Sequence, residues 1–367
     1  MNLIKACDLN DLKTEEVISK VNEVLRSGWI SASGPMCEQF EKAFAEYVGM
    51  KHCVTCSSGT TAIHLTLAAM GIGKNDEVIM PAFAPIFCSN PILWQNAVPV
   101  LVDVDKDTLC IDVSKIEEKI TPKTKAIFVI DMYGHACDYD ELERIAKKYN
   151  LLLIEDACES HGAEYKGRKC GTFGDVAIFS GYANKLVRMG EAGWIVTNNG
   201  KVAEEARRLR THYSDKGEWK FRHEKCGFNY RLSDVLAAIG LVDLKYIDEH
   251  VQARRRNAKL YTKYLCDTDL QLPVERFGCF NTYWMFNILL PENIKRQEVM
   301  NKLEAKGIET RPSFFPVHWQ PCYKDFFKGE SYPNAEYAGL HGINLPSGNS
   351  LTESQIQCVC ECLKMVI

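Results

Sequence analysis

The chain has 367 residues, 46% hydrophobic and 25% charged, and at ~100–200 residues per domain its length predicts two or three packed units. The 44 basic and 48 acidic residues leave a net charge of −4 and interleave throughout, with no like-charge block longer than Arg254-Arg255-Arg256, which argues against charge-driven binding to nucleic acid or a membrane surface. Met1-Asn2-Leu3-Ile4-Lys5 opens no apolar leader and no window approaches the ~20 apolar residues of a membrane span, so a soluble cytoplasmic protein without membrane attachment is expected.

The first motif in chain order is Cys53-x-x-Cys56. Neither it nor the last cysteine grouping, Cys358-x-Cys360-x-Cys362, has the matching second pair of a structural zinc site, so both read as small apolar side chains and no metal is expected. Sixteen cysteines lie well below the ~8–10% of a disulfide scaffold, which predicts reduced thiols. Next comes Ser57-Ser58-Gly59-Thr60-Thr61, opening a helix predicted over 60–70. Glycine admits an anion close to the backbone, the hydroxyls donate, and the helix start adds free N–H groups, a combination that suits a phosphate as well as an ordinary helix cap. No Gly-Lys-Ser/Thr follows, so it is not a nucleotide P-loop, and Gly71-Ile72-Gly73 completes no dinucleotide fingerprint.

Short β-branched runs at 77–80, 98–102, 126–130, 151–154 and 176–179 are predicted strands, with helices expected at 113–120 and 138–149 between them. That alternation predicts an α/β fold with a large, mostly parallel sheet covered on both faces. Ligands of such sheets bind beyond the carboxyl ends of the strands. There the chain carries Glu155-Asp156 and, after the last run, Ser180-Gly181-Tyr182-Ala183-Asn184-Lys185. A buried strand-end aspartate needs a cation or donor, and a lysine in a glycine-flanked loop is a candidate Schiff-base amine. Together the phosphate-suited helix start, the aspartate and the lysine match the phosphate, ring nitrogen and aldehyde of pyridoxal 5'-phosphate. A long helix is predicted over 233–265, and beyond it the pattern turns to α+β, with a strand at 283–290 and helices at 296–306 and 353–365. This predicts a large cofactor-binding domain over 1–250, including the N-terminal segment, and a small C-terminal α+β domain over 251–367.

These residues belong to a longer co-linear set: Ser33-Gly34-Pro35, residues 71–81, Tyr133-Gly134-His135, Ile154-Glu155-Asp156, Gly171-Thr172-Phe173-Gly174-Asp175, Lys185 and Gly227-Phe228-Asn229-Tyr230-Arg231. Across nearly the whole chain it resembles the DegT/DnrJ/EryC1/StrS sugar aminotransferases, which have the fold type I architecture. The resemblance implies that Lys185 is the amine that binds the cofactor and shuttles the proton, and that Asp156 keeps the pyridine nitrogen protonated. It places Glu159 beside the ring hydroxyl, and Ser58, Gly59, Thr60 and Ser180 around the phosphate. Asn229 is implied to reach the phosphate of a neighbouring subunit, making a homodimer with composite sites. Thr282-Tyr283-Trp284-Met285, residues 309–318 and residues 342–347 most resemble members that convert GDP-4-keto-6-deoxymannose to GDP-perosamine with glutamate as donor, and this places Arg311, Phe315 and His318 in the nucleotide-sugar pocket.

The chain departs from the family pattern at several points. Ser58 stands for the usual Asn, Ala192 for a Gly, and Arg188 puts a cation close to Lys185 in sequence. Pro85 takes the place of the aromatic that stacks on the cofactor ring; Phe83 or Phe87 is the alternative. A related dehydratase branch, in which histidine replaces the lysine, is disfavoured by Lys185. The remaining alternatives are a dTDP- or UDP-linked 4-keto-6-deoxyglucose as substrate, and a non-catalytic cofactor or nucleotide-sugar binding protein.

Overall fold

The computed structural model describes residues 3–7, 11–214 and 222–367. Two amphipathic helices come first, α1 (Thr14–Ser27) and α2 (Pro35–Val48), each closed by a left-handed glycine, Gly28 and Gly49. Then follow β1 (His52–Cys56), α3 (Gly59–Ala69), β2 (Glu77–Pro81), α4 (Ile86–Trp94), β3 (Val98–Val102), β4 (Thr124–Ile130), α5 (Tyr139–Tyr149) and β5 (Leu152–Asp156). A small ribbon, β6 (Glu164–Tyr165) and β7 (Arg168–Lys169), precedes β8 (Val176–Ser180), β9 (Gly193–Thr197) and α6 (Gly200–Arg210). The seven-stranded sheet runs β1-β9-β8-β5-β4-β2-β3, and only β9 is antiparallel to its neighbours. The expected α/β sheet is therefore present, with its central strands buried and helices packed against it.

Two expected elements differ. Residues 113–120 form two 3₁₀ turns, Val113–Lys115 and Glu117–Lys119, because the segment is too short to propagate a helix between the Asp112 cap and Thr121-Pro122. The helix expected over 233–265 is α7 (Asp234–Leu244) followed by α8 (Ile247–Leu265), broken where Lys245 and Tyr246 bond three residues back instead of four. α7 is apolar nearly all round and is packed against α1 and α2. No helix among the described residues is long and apolar enough to cross a membrane.

Past α8 lie β10 (Cys279–Phe280), β11 (Phe286–Leu289), α9 (Arg296–Ala305), β12 (Arg311–Pro312), α10 (Pro333–His341), β13 (Gly342–Leu345) and α11 (Glu353–Val366), with β11-β13-β12 making a second sheet. The buried side chains fall into two apolar clusters, and the boundary expected at 250/251 lies within one continuous helix that serves both. Ile247 and Val251 of α8 join the first cluster, whereas Ala258, Tyr261 and Leu265 join the second. Ile4, expected with the large domain, lies in the second cluster: its N–H donates to Gly307 O, and its carbonyl accepts from Glu309 N–H, both at 2.9 Å. The N–H of Ala6 donates to Glu309 Oε2 at 3.2 Å across 303 residues of sequence.

Behind the strand ends sits a buried acidic pair. Asp131 accepts from Cys137 N–H, Tyr139 OH and Ser160 OH, and Glu155 from the N–H groups of Gly171, Phe173 and Gly174. Burial, and then the charge of Asp131, pushes Glu155 up to about 8. Its folded value thus exceeds its unfolded one, so its stabilising effect is present at low pH and is lost as pH rises through about 8. Relative to a Glu155→Gln variant, the wild type is expected to lose stability from about pH 4.5 to about 8 and to hold a constant offset above that, read as ~2–4 °C of Tm per kcal/mol. Parallel Tm-against-pH curves for the two proteins contradict this.

Candidate active site

The carboxyl ends of β5 and β8, the start of α3 and the turn before β11 enclose a cavity of about 370 Å³. Ser58, Gly59, Thr60, Asp156, Glu159, Ser180, Lys185 and Arg311 all line it, so eight of the expected site residues converge although they span 253 positions, 311 − 58.

The helix start is built to receive an anion. Ser58 Oγ accepts from Thr61 N–H at 3.1 Å while Thr61 Oγ1 accepts from Ser58 N–H at 2.9 Å, a capping box that fixes the first turn. The N–H groups of Gly59 and Thr60 are then those that helix geometry leaves exposed. Glycine is required at one place here and relieves crowding at a second. A Cβ on Gly193 would lie 2.1 Å from Ser58 O, so only glycine lets β9 begin against this turn, and a Cβ on Gly59 would crowd Ser180 and Cys158 at 3.1–3.3 Å.

Asp156 ends β5 between Ile130 of β4 and Ile178 of β8. It is 2% exposed, with Oδ1 accepting from Cys158 N–H at 3.0 Å and Oδ2 from the Cys88 thiol at 3.3 Å. Burial raises its pKa, opposed by the thiols of Cys158 and Cys88 and by Lys185. A buried carboxylate on a cavity wall is matched by a cationic ring N–H. Glu159 accepts from Tyr133 N–H at 2.8 Å, which the left-handed backbone of Tyr133 (φ 55°) aims at it. Burial, partly offset by Lys185, brings Glu159 to about 7. Lys185 Nζ stands 3.8 Å from Glu159 Oε1 and 3.4 Å from the centroid of the Trp284 ring. A hydroxyl-rimmed helix start, a buried carboxylate and a buried lysine fit the phosphate, ring nitrogen and aldehyde of pyridoxal phosphate.

Four expectations are refined by the side-chain positions. Arg188 is no free cation beside Lys185: it makes a bidentate pair with Asp243 (2.7 and 3.0 Å), bonds Asp11, and so ties the lysine loop to α7. His318 turns to Glu336 at 3.1 Å and Phe315 lies on Trp319, so of the three expected substrate residues only Arg311 lines the cavity. Phe83 is fully buried between Tyr133 and Phe314, whereas Phe87, 44% exposed, lines the cavity together with Pro85. Asn229 is exposed and absent from the cavity wall. Sequence reasoning did not single out Cys88, Trp284, Met285, Phe314 and Asn344, although four of these lie in segments already noted for their resemblance.

Fold and site together define a pyridoxal-phosphate-dependent sugar aminotransferase. The DegT/DnrJ/EryC1/StrS aminotransferase family model matches residues 11–364, and the chain belongs to that family. It is 41% identical over 344 residues, 93% of each chain, to the GDP-perosamine synthase of Escherichia coli O157:H7. Among solved structures, DesV of S. venezuelae superposes with a TM-score of 0.93 at 32% identity, covering 100% of this chain and 98% of DesV. Spr1654 of Streptococcus pneumoniae in its PLP form gives 0.89 at 25% identity over 96% of each chain.

Proposed function

We propose that the enzyme moves an amino group from glutamate to C4 of GDP-4-keto-6-deoxymannose, producing GDP-perosamine. The observation that carries the choice of substrate is the 41% identity, over 93% of the chain, to a relative named for that product. Arg311 and Asn344 on the cavity wall supply charge and hydrogen bonds suited to a nucleotide sugar. Bound pyridoxal phosphate supplies an electron sink for the carbon that carries the transferred nitrogen. Asp156 holds the proton on the ring nitrogen, the Gly59–Thr60 turn with Ser58 and Ser180 holds the phosphate, and Glu159 faces Lys185. Lys185 Nζ takes the proton from one carbon and returns it to the other, a role for a positioned amine. Trp284, Met285 and Phe314 make an apolar wall that excludes water.

In this reading the exposed Asn229 serves the phosphate of a partner subunit, so the homodimer shares its sites. A cytoplasmic setting is supported by the sixteen free cysteines. The test of the substrate is kcat/KM for GDP-4-keto-6-deoxymannose against dTDP- and UDP-4-keto-6-deoxyglucose. A preference of tenfold or more for the GDP sugar, ~1.4 kcal/mol, is expected. The opposite preference reassigns the nucleotide.

A further inference from the structure

The indole of Trp284 is 4% exposed and forms one wall of the cavity, with the Lys185 ammonium 3.4 Å from its ring centroid. Its position is set from both sides. On the lysine side, indole Nε1–H donates to Asn184 O at 2.8 Å, the carbonyl just before Lys185. On the other side, Thr282 N–H donates to Gly134 O at 3.2 Å, and a Cβ on Gly134 would come within 2.6 Å of Thr282 Oγ1 and 3.1 Å of Trp284 N. Tyr283 completes the turn in the left-handed region, φ 50°. The turn therefore docks on the same Tyr133–Gly134 pair whose N–H holds Glu159, and Lys185 is caught between the Glu159 carboxylate and the indole face.

We propose that Trp284 is a positioning residue for amino transfer: its indole face and its N–H···O=C bond to Asn184 hold the amine of Lys185 at the cavity wall. A ring face attracts an ammonium most strongly where water is excluded, as it is here. The lysine must take a proton and give it back, so a wall that steadies Nζ keeps the amine in place between the two transfers. Packing alone accounts for a buried tryptophan, but not for an indole centred over the one lysine on the cavity wall.

The inference rests on Lys185 as the reacting amine, which Lys185→Ala tests separately. The measurement is steady-state kinetics of holoenzyme with the keto sugar and amino donor that the wild type turns over. Trp284→Leu is expected to lower kcat about tenfold with both KM values within about twofold. The other titratable or charged groups around Nζ are Cys88, Asp156, Cys158, Glu159, His161, Tyr182, Glu191 and Arg311, and all remain in every variant. Trp284→Phe, which keeps a ring face, should recover most of kcat. If the Leu chain fails to fold or to hold cofactor, Trp284→Met, unbranched and flexible, takes its place. Wild-type kcat in the non-aromatic variant, a loss carried by KM instead of kcat, or a Phe variant as impaired as the non-aromatic one overturns the proposal, even with Lys185→Ala inactive.

Discussion

Lys185→Ala is expected to abolish amino transfer and, with it, the visible absorbance that the cofactor shows when joined to the lysine. Cofactor is expected to bind this variant still, through the proposed contacts of the Gly59–Thr60 turn and Asp156, residues of the cavity wall that the substitution leaves intact. General acid–base groups contribute ~10²–10⁴-fold, and this amine is assigned both the proton transfers and the bond to the cofactor, so the loss should exceed that range. Normal turnover by the Ala chain overturns the assignment. The same variant reports on the shared site: mixed, under conditions of subunit exchange, with an Asn229→Ala chain that is impaired alone, it should yield one intact site per mixed dimer and regain activity. Verified exchange without recovery removes Asn229 from the partner's site.

Asp156→Asn is expected to lose activity by ~10²–10³-fold, the scale seen when one preorganised electrostatic partner is removed, with the fold unchanged. The amide keeps the size of the carboxylate and leaves an oxygen for the N–H of Cys158, but it no longer balances a cationic ring nitrogen. A near-normal circular dichroism spectrum with this loss of activity supports the role, whereas wild-type activity rules it out.

The chemistry was more legible in the sequence than the cavity that contains it. Asp156 and Lys185 stand out because buried strands end at Asp156 and Ser180, and polar residues at such ends face the ligand edge of a parallel sheet. Trp284 could not be found this way, since it reaches Lys185 from a turn 99 positions further on, 284 − 185, where nothing local marks the direction of its side chain. Arg188 shows the converse error: three positions from Lys185, it points to Asp243 on α7, because closeness along a loop does not fix the direction of a side chain. In the same way His318 ends the 309–318 segment expected to meet substrate, but its Nε2 pairs with Glu336. β1 and β9 went unread because His52–Cys56 offers a single aliphatic residue, Val54, and Gly193–Thr197 begins in a glycine-rich loop. The break between α7 and α8 was equally hidden, as the sequence carries neither proline nor glycine at Lys245-Tyr246.

The pairing of the first described residues with the 307–309 segment has a consequence for the order in which the molecule comes into being. Ala6 and Glu309 are separated by 303 residues, so during synthesis the N-terminal segment emerges long before its partners exist. At ~5–20 residues per second, tens of seconds pass in which the seven-stranded sheet can form while Ile4 has no site to occupy. The second cluster, which needs Ile4 from one end of the described chain and α11 from the other, closes only once nearly all of it has been made. That closing step carries the ordering cost of a very long loop, and because α8 runs unbroken from one cluster into the other, the late half is assembled on a helix that the early half has already anchored.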